Sequence, residues 1–143
     1  MFRCLALLIV TAATVPAQAS SACHGALDSG YTLVMAGAQN ACVQEYKAYS
    51  LSFFKIAKCV SVDAYDAATC DPKQYASSKC LLAAAKLLKA DNTLDDVAFK
   101  TIALKKKCNS DSKFAAAYPK CKNSTMKYLN FNRFFDCLRA AVP

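Results

Sequence analysis

The sequence predicts an all-α fold, a compact bundle of five or six short helices cross-linked by four disulfides. Three observations carry this. After the first 19 residues the chain holds only Gly25, Gly30 and Gly37 as glycines, and it lacks the alternating β-branched runs between Gly-rich turns that mark strands. Apolar residues recur at helical spacing. An exported leader followed by an even number of cysteines reads as a disulfide framework.

The leader comes first. Met1–Arg3 is a short basic start, Cys4–Ala13 is almost wholly apolar, and Ala17-Gln18-Ala19 offers a small-x-small cut before Ser20. The apolar run is shorter than the roughly 20 residues a spanning helix needs. Residues 1–19 are thus expected to be a signal peptide and residues 20–143 a single secreted domain, long enough for a sizeable core. Of nine cysteines, Cys4 leaves with the leader. The other eight are Cys23, Cys42, Cys59, Cys70, Cys80, Cys108, Cys121 and Cys137. Zinc sites cluster their ligands as C-x2-C or C-x4-C, often with histidines. Here the closest pair, Cys70 and Cys80, has nine residues between and His24 is the one histidine, so no metal site is expected.

The elements follow in order. A first helix is predicted over Ala26–Ala36, stopping at Gly37. The second, over Gln39–Val60, carries Cys42, Tyr46, Tyr49, Phe53, Ile56 and Val60 on one stripe. Asp71 and Pro72 look like the cap and first position of a third helix that runs to Lys89. Thr93 and Asp96 have capping-box spacing before a fourth helix with Leu94, Val97, Thr101, Leu104 and Cys108 on one face. A fifth, Asp111–Tyr118, is expected to end before Pro119. The sixth starts near Ser124 and carries Tyr128, Phe131, Phe135 and Leu138.

These boundaries constrain the disulfides. At a rise of about 1.5 Å per residue, Cys42 and Cys59 on one helix would lie roughly 25 Å apart, far beyond the roughly 7 Å a disulfide allows. The same reasoning excludes Cys70–Cys80 and Cys121–Cys137. Folding back at Gly37 favours Cys23–Cys59, and folding back at Asp91 suggests Cys80–Cys108.

Catalytic chemistry finds little support. Ribonuclease-type acid–base work wants two histidines, and His24 reads as a surface residue. A glycosidase needs two carboxylates, and the one glutamate, Glu45, sits on the polar flank of the second helix. No G-x-S-x-G elbow occurs, and even parity leaves no free thiol. Among stapled helical carriers, plant lipid-transfer proteins have adjacent cysteines and C-x-C, insect odorant-binding proteins C-x3-C, and saposin-type domains C-x2-C. None of these spacings is present. The aromatics Tyr46, Tyr49, Phe53, Phe54, Phe99, Phe131, Phe134 and Phe135 could line an apolar pocket, though core packing is the simpler reading. In the segment Phe131–Leu138, Arg133 and Asp136 suggest a surface ion pair.

Charge is uneven. Residues 20–85 carry five lysines and five acids, while residues 86–143 carry twelve lysines and arginines against five acids. Lys105, Lys106 and Lys107 fall in the last turn of the fourth helix, where cations complement its dipole. With Lys113, Lys120 and Lys122 they are expected to form one exposed basic face, suited to sulfated glycan or lipid headgroups. Solubility alone would also account for such charges. Nucleic acid is not an expected partner. Asn123-Ser124-Thr125 is a glycosylation acceptor, and Ser124 or Thr125 could instead cap the sixth helix. The functional expectation is a secreted, non-enzymatic binding or effector protein, without cofactor, acting on an extracellular protein or a small apolar ligand. The alternative is a cationic membrane-active or defence protein that uses the lysine-rich face.

Overall fold

A computed structural model describes residues 21–61 and 63–143. The expected leader and its expected cut site lie outside the described residues. Among the described residues seven α-helices follow one another: α1 (Ala22–Met35), α2 (Val43–Phe53), α3 (Ala57–Val60), α4 (Ala67–Ala84), α5 (Asp96–Ala98), α6 (Ser112–Thr125) and α7 (Phe131–Ala141). Short 3-10 turns over Ala36–Gln39 and Met126–Tyr128 and a π turn over Phe99–Ala103 join some of them. Among the described residues there is no strand, only an isolated bridge between Leu88 and Leu94. The all-α, four-disulfide class is therefore what forms.

Short polar side chains set most of the helix starts by accepting from orphan backbone N–H groups. Ser21 does this for α1, Asp66 for α4, Asp95 for α5, Asp111 for α6 and Asn130 for α7. α2 has no side-chain cap, and its start is held by the Cys42–Cys80 bond.

The main core lies where α1, the π turn, α6 and α7 meet. Phe99, Phe131, Phe134 and Phe135 are fully buried there with Leu27, Val34, Leu104 and Leu138. The Phe99 ring centre sits 5.1 Å from Phe134 and 5.5 Å from Phe135. Gly30 lets α1 press against this layer. A Cβ there would stand 3.2 Å from the Ala103 carbonyl oxygen and 3.3 Å from the Phe135 ring. A smaller second cluster, Phe53, Cys59 and Cys70 with Tyr49, Ile56 and Tyr65 against it, lies under α2 and α3.

All eight cysteines among the described residues are paired, as Cys23–Cys108, Cys42–Cys80, Cys59–Cys70 and Cys121–Cys137. Cys42–Cys59 and Cys70–Cys80 are absent, as expected. The other pairing expectations fail because the helix boundaries differ. The second helix ends at Phe53, so Cys59 sits on the separate α3 and closes onto Cys70 rather than Cys23. Cys80 on α4 reaches Cys42 rather than Cys108, since α2 packs on α4. α6 continues through Pro119 to Thr125, so the reversal falls at residues 126–130 and brings Cys121 within 5.7 Å (Cα–Cα) of Cys137.

Three more corrections matter for the site. Pro72 lies inside α4, which starts five residues before Asp71 at the cap Asp66. The expected fourth helix is only a three-residue helix and a π turn, and its cap is Asp95 rather than Thr93. Ser124 and Thr125 cap nothing, because they end α6 and both hydroxyls donate back to the Cys121 carbonyl.

Candidate ligand-binding cleft

α4 presents an unusual buried stripe. Cys70, Asp71, Gln74, Ser77, Ser78, Leu81 and Leu82 follow helical spacing, yet four of the seven are polar. Such groups cost free energy inside a protein unless they are hydrogen-bonded. Asp71 is fully served. Tyr65 Oη donates to Asp71 Oδ1 at 2.6 Å, Asn130 Nδ2 to the same oxygen at 2.7 Å, and Arg133 Nη1 to Oδ2 at 3.1 Å. The Arg133 guanidinium also stacks over the Tyr65 ring at 5.0 Å. Arg133 thus pairs with Asp71, and Asp136 pairs with Arg139 at 3.2 Å. The two do not pair with each other, because Asp71 sits beside the start of α7 where Asn130 caps it.

Gln74 is different. It is only 2% exposed, and among the described residues its Nε2 has no hydrogen-bond partner. Asn132 Oδ1 is likewise buried and unpaired. Both residues line one cleft of about 510 Å³, within the range typical of small-molecule sites. Tyr49 and Phe53 of α2 and Cys59 and Val60 of α3 make its apolar wall. The facing wall holds Tyr65, Gln74, Asn130, Asn132, Arg133 and Asp136. A hollow of the same size beside α6, between Asn109, Phe114 and Tyr118, has no unpaired buried polar atom in its lining. The first cleft is therefore the candidate site.

Its electrostatics are quiet. The cation and the anion in its wall, Arg133 and Asp136, are each already paired with a residue outside it, Asp71 and Arg139, which leaves amides, hydroxyls and aromatic rings to meet a ligand. Burial, then the hydrogen bond to Asp71, pushes the Tyr65 hydroxyl well above the ordinary phenol range. Burial raises Tyr49 to about 12. Both rings stay neutral at any physiological pH. Among the described residues no three His, Cys, Asp or Glu side chains gather to hold an ion.

The aromatics expected from the sequence divide between roles. Phe99, Phe131, Phe134 and Phe135 are core, Tyr46 is half-buried against that core, Tyr49 and Phe53 line the cleft, and Phe54 is exposed. His24 is not a bare surface residue, since its Nδ1 donates to the Val142 carbonyl at 2.5 Å and holds the end of the chain. Glu45 is exposed on the first turn of α2, and Asn123 is exposed on the last turn of α6.

The lysines do not all share one face. Lys105 and Lys106 lie beyond the π turn in the left-handed region, at φ 50° and 62°, rather than in a helix's last turn. With Lys107 they are exposed. Lys113 and Lys120, two turns apart, are exposed along one side of α6. Lys122 points about 180° away from Lys120. Its ammonium bonds both carboxylate oxygens of Asp96, at 2.6 and 2.7 Å. Tyr118 also donates to Asp96, at 2.7 Å. Burial alone would raise the Asp96 pKa, but these partners outweigh it and hold the carboxyl below its usual range.

The signal for Gln74 was present in the sequence. It occupies the stripe Cys70, Gln74, Ser77, Leu81, at helical offsets from a bonded cysteine and a core leucine. Tyr65, Asp71, Asn130 and Asn132 were also missed, because they come together only through the tertiary fold. Comparison with protein-family models, curated proteins and solved structures finds no match to this chain.

Proposed function

We propose that this is a secreted, disulfide-stapled binding protein that acts without catalysis and takes up a small amphiphile with a neutral polar head. The leader, the four disulfides and the lack, among the described residues, of any helix long and apolar enough to cross a membrane support the extracellular setting. One observation carries the ligand class: Gln74, whose buried amide nitrogen is unpaired among the described residues, lines the same cleft as the aromatic rings of Tyr49 and Phe53. A hydroxyl both donates and accepts, so it offers a partner to Gln74 Nε2 and to Asn132 Oδ1. An apolar body would lie along Tyr49, Phe53 and Val60. The matched charges in the wall favour a neutral head over a carboxylate.

A neutral fluorescent probe such as N-phenyl-1-naphthylamine tests this by displacement. Long-chain alcohols should displace it at lower concentration than carboxylates of equal length, and Gln74→Leu should weaken the alcohols about tenfold or more, as happens when a hydrogen-bonding site loses its partner. Carboxylates that bind best, or alcohols indifferent to Gln74, would remove this reading.

A second reading, a cationic protein gripping an anionic surface, has its own support. Lys105 and Lys106 hold left-handed backbone that costs roughly 1–2 kcal/mol per residue. Neither they nor Lys107, Lys113 or Lys120 form an ion pair among the described residues. If these lysines bind heparin-like supports, changing Lys105, Lys106 and Lys107 to glutamine lowers the eluting salt and leaves the melting temperature nearly unchanged. Unchanged retention reduces them to solubilising charge. Glycosylation of Asn123 belongs to the same extracellular proposal and is read by a mass shift on endoglycosidase treatment.

A further inference from the structure

α2 is apolar on two sides. Its inward side, Cys42, Tyr46, Tyr49 and Phe53, meets the core and the cleft. On its outward side Val43, Lys47, Leu51 and Phe54 step by four, four and three, again one helical stripe. Leu51 is 59% exposed and Phe54, at the break before α3, is 62% exposed. Val60 on α3 is half exposed at the edge of the cleft. Among the described residues nothing buries these side chains. From Tyr46 to Ser61 the chain carries Lys47, Lys55 and Lys58 and no acid. The three lysines are exposed, with Glu45, Asp63 and Asp66 marking the limits of this acid-free tip.

We propose that the α2–α3 tip docks on an anionic lipid bilayer, with Leu51 and Phe54 entering the headgroup boundary and Lys47 and Lys55 facing the lipid phosphates. Large apolar side chains flanked by lysines are the composition that binds such an interface, through buried apolar area together with attraction to anionic lipid. A second copy of this chain is a poorer occupant. A symmetric contact between two tips would set lysines against lysines with no acid between them. The contact is peripheral, because the most exposed large apolar side chains here, Leu51 and Phe54, belong only to the helix end and the break after it. Docking would also bring the cleft to the lipid. The Phe54 ring lies edge-on to Phe53 with centres 5.9 Å apart, and 6.3 Å from Tyr49, and both of those rings line the cleft. The proposal does not depend on which ligand the cleft takes.

The chain contains no tryptophan, so Phe54→Trp makes a single reporter at the tip. Mixed with phosphatidylcholine/phosphatidylglycerol vesicles, this variant should shift its emission to the blue and sediment with them, and much less so with phosphatidylcholine alone or at high salt. In otherwise wild-type protein, Leu51→Ser and Phe54→Ser should each weaken vesicle partition about tenfold. Glutamine at Lys47 and Lys55 should remove most of the preference for anionic lipid, whereas glutamine at Lys105, Lys106 and Lys107 should leave the blue shift in place. Since every altered side chain is exposed, the melting curves should not move. Absence of vesicle binding overturns the proposal. So does binding that survives Phe54→Ser but is lost with Lys105, Lys106 and Lys107, or a solution dimer that Phe54→Ser dissolves.

Discussion

Replacing Gln74 by leucine keeps a side chain of similar volume and removes an amide whose nitrogen has no partner among the described residues. In the unfolded chain that amide is fully hydrated; in the fold it is 2% exposed and its Nε2 is unbonded. A buried polar group left unsatisfied costs about 1–3 kcal/mol. Leucine escapes that cost, and allowing for imperfect packing of its branched end the variant should be more stable by about 1–2 kcal/mol. For a domain of this length that corresponds to a rise of roughly 4–8 °C in melting temperature. Urea unfolding followed by far-ultraviolet circular dichroism, with the disulfides kept oxidised, measures it, and an unchanged m-value confirms that the same surface unfolds. The same substitution should weaken alcohols in the probe assay, so stability and affinity move in opposite directions. Such a trade is expected of a residue kept for binding. A loss of 1 kcal/mol or more would refute the reasoning, for it would mean that the Gln74 amide is satisfied in solution, for instance by a tightly held water.

Asp96→Asn should remove a modest stabilisation, below about 1 kcal/mol because the ion pair with Lys122 is partly exposed. The Asp96 pKa is depressed in the fold, so its contribution is present above the unfolded carboxylate value near 4 and is lost as pH falls through the lower folded value. The difference between the two proteins should therefore be flat from about pH 5 to 8 and vanish in acid. Replacing both Cys59 and Cys70 with alanine opens a loop with a sequence separation of 11 and should cost about 3 kcal/mol by chain entropy. Hydrogen exchange should then quicken around α3 and the cleft while α6 and α7 stay protected; loosening of α6 and α7 as well would show that the smaller cluster is not a separable unit.

Helical class, cysteine parity and core residues such as Leu27, Val34, Leu104, Phe131, Phe135 and Leu138 were legible because they rest on composition and period, whereas Val60, Val97 and Thr101, read onto buried stripes, are exposed. Pairing was not, because it depends on where helices stop. Pro119 reads as a stop, yet Phe114, Tyr118, Cys121 and Thr125 keep one buried stripe through it. That packing offsets the hydrogen bond a proline lacks. Asp71 before Pro72 imitates a cap, whereas Asp66 caps α4 with two backbone N–H bonds and holds Thr69 Oγ1 as well. Leu104 and Cys108 share a helical period but are joined by two left-handed lysines, a conformation that side-chain pattern does not report. The site was hardest to see for a related reason. A glutamine or an asparagine in the sequence reads as a solvent-facing residue, and only the packing of α2, α3 and α7 around α4 shows that Gln74 and Asn132 face a cleft.

The four disulfides do not cross. Cys59–Cys70 lies within the span of Cys42–Cys80, which lies within Cys23–Cys108, and Cys121–Cys137 follows them all. Taken from the N-terminus, each closing cysteine finds its mate in the nearest upstream cysteine still open: 70 takes 59, 80 takes 42, 108 takes 23 and 137 takes 121. The pattern works as a last-in, first-out stack. A chain that emerges N-terminus first into an oxidising compartment can complete all four bonds in order of appearance without breaking any, provided that Cys23, Cys42 and Cys59 stay unpaired with one another until Cys70 arrives.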